Sequence, residues 1–137
     1  MTEITNTQDI IDSYEVTERI QELREEWAEA TGDDPSDYTL TEDDWAVGLG
    51  YDGAREIVAL MELESEGAAA TPDWPYGATL IHEDYFTTYA QEMAEDIGAI
   101  DRDAGWPYQY IDWDRAADAL KMDYMPVEFD GQTYYVR

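Results

Sequence analysis

Cysteine is absent from this 137-residue chain, which excludes a disulfide framework and any thiolate metal site. Histidine occurs once, at His82, beside Ile81 at the start of a helical pattern. That placement predicts a capping or partly buried structural histidine. Serine is limited to Ser13, Ser36 and Ser65, none of them in the Gly-x-Ser-x-Gly turn of a nucleophile. There is no P-loop. The run Gly48-Leu49-Gly50-Tyr51-Asp52-Gly53 matches a dinucleotide fingerprint by its letters, but it follows a helical pattern and lacks the preceding strand that the chemistry requires. No apolar run approaches the ~20 residues of a membrane span, and the opening MTEITNTQDIIDS has neither the basic nor the apolar region of a secretion signal. These absences together predict a soluble, cytoplasmic, non-enzymatic protein with no metal and no cofactor.

Positive charge is the scarcest commodity. Lys and Arg total 7 against 34 Asp and Glu, a formal net charge of −27. The acids run the whole length, with 20 in residues 1–66 and 14 in residues 67–137. So much like charge destabilises a compact state. High charge also invites disorder, but five Trp, eleven Tyr and 44% hydrophobic residues are not the composition of a disordered acidic chain. The length suits one domain or an elongated pair of subdomains. We read residues 1–70 as an acidic helical part and residues 71–137 as an α+β part. Direct contact with nucleic acid or an anionic membrane is disfavoured, since both are negative.

Periodicity predicts a first long helix over 13–31. Asp12 caps it, Glu15 falls three residues later as in a capping box, and Gly32 stops it. Val16, Ile20, Leu23 and Trp27 define its apolar face; Ile10 and Ile11 are expected in a short turn beneath it. The Gly- and Pro-containing segment 32–40 reads as a loop. Thr41 caps a second helix whose first turn, Glu42-Asp43-Asp44, suits the positive end of the dipole. Gly48, Gly50 and Gly53 predict a break near Tyr51, and the helical pattern resumes from Ala54 to about Gly67. Residues 67–79 read as a loop and the best hinge. Residues 83–97 form the strongest helical pattern, with Gly98 as its left-handed stop. Asp112 caps a short helix over 113–122. Asp130-Gly131, between Val127-Glu128-Phe129 and a Tyr-rich run, signals a two-residue hairpin. The expected fold is therefore α+β and helix-rich, with four to five helices and a C-terminal β-hairpin.

Trp27, Trp45, Tyr85, Phe86 and Tyr89 fall at helical spacing and are expected in the core. Trp74, Tyr76, Trp106, Tyr108 and Tyr110 lie in loops, where the expectation is that they pin those loops to the body. Asp101, Asp103 and Asp112 are spaced like calcium ligands, but Trp106 stands where the sharp turn of such a loop needs Gly. Paired carboxylates carry no diagnostic weight among 34 acids.

The acids recur in rows. Glu15, Glu18, Glu22, Glu25 and Glu29 repeat at three and four residues, so they share one face of the first helix. Like charges at that spacing repel by about 0.2–0.5 kcal/mol per pair, with Arg19 and Arg24 expected to give partial relief. Halophilic adaptation would scatter acid over every face; stripes point to a use. Further rows come from Asp43 and Asp44, from Glu62, Glu64 and Glu66, and from Glu92, Glu95 and Asp96. Because phosphates are what a basic DNA-binding cleft recognises, these rows make up a candidate surface for entering such a cleft.

From Tyr85 onward the chain resembles the ArdA antirestriction family. The shared features are YAQEMAEDIGAI with its Gly98 stop, the phrase Tyr110-Ile111-Asp112-Trp113 followed by Ala116, Ala117 and Leu120, and the closing VEFDGQTYYVR. The resemblance spans some 50 residues and extends to small acidic phage proteins with the same tail. The chain is shorter than the three-part ArdA architecture, and residues 13–66 match none of its motifs. The resemblance implies an acidic DNA mimic, as a monomer or homodimer, that inhibits type I restriction–modification enzymes in the bacterial cytoplasm. Alternatives are an anti-CRISPR protein occupying the DNA site of a CRISPR effector, or a general acidic adaptor for basic proteins.

Overall fold

The structure is a computed structural model that describes residues 4–37, 39–101, 103, 105–106 and 108–137. Tyr38 of the first loop, and Arg102, Ala104 and Pro107 of the calcium-like loop, lie outside the described residues, as do residues 1–3. The chain runs β1 (Ile10–Asp12), α1 (Ser13–Thr31), α2 (Glu42–Ala70), α3 (Trp74–Gly77), β2 (Thr79–His82), α4 (Phe86–Asp96), α5 (Trp113–Lys121), β3 (Met125–Phe129) and β4 (Gln132–Val136). The α+β expectation holds: five α-helices are found among the described residues, with one antiparallel four-stranded sheet in the order β1-β2-β4-β3.

Local signals set most of the helix ends. Asp12 accepts from the Tyr14 N–H at 2.8 Å to start α1, and Gly32 closes it at φ 78°. Thr41 and Asp44 form a reciprocal capping box at the head of α2, which satisfies two otherwise orphaned donors. After α4, Gly98 sits at φ 76° while the Ala99 N–H reaches back to the Ala94 carbonyl and the Gly98 N–H to that of Glu95. That pair of bonds is a Schellman closure. Asp130 and Gly131 both have positive φ, as a type I′ hairpin requires. Within α2, Gly50 (φ 77°, ψ 172°) breaks the helix, one residue before the expected position.

Three expectations are corrected. Ile10 and Ile11 belong to a strand, Ile10 opposite Ile81 and Ile11 opposite Leu80. Residues 67–79 are not a hinge. Helix α2 continues to Ala70, Trp74 is buried, and the Ser13 hydroxyl donates to the Trp74 carbonyl while accepting from the Ala78 N–H. Residues 79–82 then form β2, and the helical pattern expected from residue 83 opens with a 3-10 turn before α4 starts at Phe86.

The sheet separates two apolar clusters. Ile11, Leu80, Val127, Phe129, Tyr134 and Val136 face α1 and α2, where they meet Val16, Ile20, Leu23, Trp27, Ile57, Leu60 and Leu63. Their neighbours in sequence, Ile81 and Tyr135, face the other way toward Phe86, Ala90, Ala117 and Tyr124. This alternation is the period of two of a strand covered on both sides. The result is three layers, helices on each face of one sheet. Trp27, Trp45 and Phe86 lie in the core as expected, while Tyr85 and Tyr89 are half-buried. Of the loop aromatics only Trp74 is buried; Tyr76, Trp106 and Tyr110 are exposed. Among the described residues no helix is long and apolar enough to cross a membrane.

Candidate functional site

The outer face of α1 carries the first acid row. Its buried face is made by Ser13, Val16, Arg19, Ile20, Leu23 and Trp27. At 3.6 residues per turn the row Glu15–Glu18–Glu22–Glu25–Glu29 lies about 150° around the helix from that face. All five are exposed.

The arginines do not relieve this row as the spacing suggested. Arg19 turns away from Glu15. Its guanidinium donates to both carboxylate oxygens of Glu56 on α2, at 2.6 and 2.9 Å, and to Glu22 at 3.1 Å. The bond to Glu56 is the main reason its pKa is held above the ordinary arginine value. Arg24 lies over the Trp45 ring, 6.0 Å from its centroid, and donates to the Ser36 hydroxyl. Among the described residues, Glu15, Glu18, Glu25 and Glu29 have no ion pair. Gln21 donates to Glu25 at 3.2 Å.

The remaining acids differ in their duties. Asp43 is exposed in the first turn of α2, while Asp44 closes the capping box. Bonds from the Thr41 N–H and hydroxyl lower the Asp44 pKa. Glu62 and Glu66 are exposed, and Glu64 is half-buried where the Thr17 hydroxyl donates to it at 3.3 Å. On α4, Glu92 accepts from the Tyr85 hydroxyl at 2.9 Å, which raises that tyrosine's pKa. Glu95 accepts from the Tyr108 hydroxyl at 2.7 Å, and the Gln91 amide donates to that hydroxyl oxygen. Asp96 is exposed. Thus Asp44, Glu64, Glu92 and Glu95 also hold local structure, whereas in the α1 row only Glu22 and Glu25 have side-chain partners among the bonds described.

Tertiary folding gathers acids that spacing alone did not join. A trough of about 460 Å³ runs between residues 4–6, α2 and the β3–β4 turn, lined by Glu42, Asp52, Glu56, Glu62 and Asp130 together with Arg55. No sequence signal marks it, since its walls come from three separate stretches of the chain, residues 4–6, 42–62 and 129–130. Among the described residues no group of three or more potential ligands is placed to hold a metal ion. His82 has the structural role expected of it. Its Nδ1 accepts from the Asp84 N–H at 3.0 Å, and its Nε2 lies 3.2 Å from the Gln132 amide oxygen.

What this arrangement offers chemically is exposed negative charge fixed on helices, with one neighbouring cation, Arg19, buried against Glu56. No protein-family model, curated protein or solved structure matches the chain.

Proposed function

We propose that this protein is a mimic of duplex DNA that occupies the DNA-binding cleft of a bacterial defence complex, in the first instance a type I restriction–modification enzyme. The observation that carries the reading is the α1 row. Five exposed glutamates span 14 residues, about 21 Å at 1.5 Å per residue. Four of them have no ion pair among the described residues. Their mean spacing is about 5 Å along the axis, against one phosphate every ~3.4 Å of a DNA strand. Asp43, Asp44, Glu62, Glu64, Glu66, Glu92, Glu95 and Asp96 add to the field. The helices fix these charges in advance, so a basic cleft meets them without ordering a flexible chain.

The choice of target rests on the resemblance of residues 85–137 to ArdA antirestriction proteins. The test is competition. Purified protein is added to a type I restriction–modification enzyme bound to labelled duplex DNA. Displacement of the DNA, weakening steeply with salt as exposed charges are screened, is the expected result. Tight binding of the protein to DNA itself, or failure to displace it at any salt, would retire the reading.

A further inference from the structure

The break in α2 is flanked by two large apolar side chains that are exposed. Val47 is 79% exposed and Tyr51 76% exposed, the most solvent-accessible large apolar residues on α1 and α2. The glycines between and beside them do have structural reasons. A Cβ at Gly48 would come within 2.5 Å of Trp27 Cδ1, and Gly50 has a backbone conformation that essentially only glycine adopts. That geometry lets Trp45 pack edge-on against Trp27, centroids 5.6 Å apart, while the Trp27 indole N–H donates to the Asp44 carbonyl. Val47 and Tyr51 gain nothing from any of this. Both residue types are weaker helix formers than the Glu, Lys or Ala that an exposed position usually carries.

Their neighbours in sequence are acidic. Asp43, one turn before Val47, is exposed, as are Glu42, Asp44 and Asp52. We propose that Val47 and Tyr51 are an apolar anchor through which a cation-rimmed protein cleft grips this chain. The surrounding carboxylates meet the rim, Val47 enters an aliphatic depression, and the Tyr51 ring offers its face to a Lys or Arg of the cleft. Interfaces draw most of their affinity from a few such aromatic and aliphatic contacts, while distributed charge acts chiefly on the association rate. The occupant is thus a basic protein surface. A second copy of this chain is disfavoured, because each copy carries a net charge of −27. The inference rests on the DNA-mimic reading and adds to it the contact that holds the complex once formed.

The test measures association and dissociation rates on an immobilised type I restriction–modification enzyme for four proteins. They are the wild type, Val47→Ala/Tyr51→Ala, Tyr51→Phe, and a variant with Glu15, Glu18, Glu22, Glu25 and Glu29 all changed to Gln. The double alanine variant is expected to dissociate at least tenfold faster with little change in association rate and an unchanged melting temperature. Tyr51→Phe keeps the ring and should behave as wild type. The five-Gln variant should associate more slowly and lose much of its salt dependence. Wild-type kinetics in the double alanine variant, with the five-Gln variant impaired, would overturn the anchor and leave mimicry standing. Absence of wild-type binding would overturn both.

Discussion

Arg19 and Glu56 form a two-pronged ion pair between α1 and α2, with Nε 2.6 Å from Oε2 and Nη2 2.9 Å from Oε1. The Arg19 side chain keeps only 9% of its exposure and that of Glu56 23%. The pair stitches together two helices whose outer faces carry the acid rows, and it removes one of seven cations from the surface.

Removing Glu56 leaves the Arg19 guanidinium with Glu22 as its ion-pair partner among the described residues. Glu56→Ala is expected to cost about 1–2 kcal/mol, less than the loss of a partner from a fully buried pair, because Glu22 and water still compensate the charge. Replacing both partners, as Arg19→Met/Glu56→Leu, should cost less than the single change. Urea denaturation midpoints of the two variants decide the matter; equal and negligible losses would show the pair to be a surface pair in energetic terms.

Stability should fall at high pH through two tyrosines. Burial pushes Tyr134 up to about 12, with nearby Asp9 adding to the effect, and burial together with the hydrogen bond shared with the Tyr89 hydroxyl pushes Tyr124 up to about 12. In the unfolded chain both titrate near 10. Between these values the unfolded chain releases protons that the folded one retains, so stability is complete below about pH 10 and declines toward pH 12. Ultraviolet titration should find these two hydroxyls ionising late, together with loss of the near-ultraviolet circular dichroism. Ionisation of all eleven tyrosines in one step near pH 10, with the fold intact, would contradict this.

Gly67→Ala sets two effects against each other. Alanine favours a helix interior by about 1 kcal/mol over glycine, but a Cβ at this buried site would fall within the ring of Trp74. Trp74 is 5% exposed and its neighbours Ser13 and Ala78 are fixed by hydrogen bonds, so the ring has little room to yield. Overpacking of this kind costs about 1–3 kcal/mol, and the net change is expected to be destabilising. A raised melting temperature would mean that Trp74 can move aside.

The five-Gln variant of α1 should fold as the wild type does and melt no lower. Its glutamates repel one another, which offsets loss of the Arg19–Glu22 ion pair and of the Glu15 charge in the first turn. A clear fall in melting temperature would assign the row a structural role.

The helices were legible because their ends are written locally. Asp12, Gly32, Thr41, Gly98 and Asp112 each act within a few residues, and α1 has the bounds that its caps and periodicity implied. The hairpin was legible for the same reason, through Asp130-Gly131. Strands β1 and β2 were not. Each is three or four residues long and has only distant partners: β1 lies beside β2 about 70 positions away, and β2 lies between β1 and β4. The acid row on α1 was visible as a pattern. The destination of Arg19 was not, because Glu56 competes with Glu15 only once α2 has docked. Nor could the exposure of Val47 be read from a helix whose register breaks at Gly50.

The sheet order has a consequence for synthesis. Strand β4, residues 132–136, is an interior strand, and β2 and β3 pair with its two sides. A ribosome therefore releases α1 and α2 long before the surface that covers Leu60, Leu63 and Val16 exists. The packing of residues 13–70 against the sheet is therefore incomplete until residues 132–136 have been made, and in that interval like-charge repulsion opposes premature association.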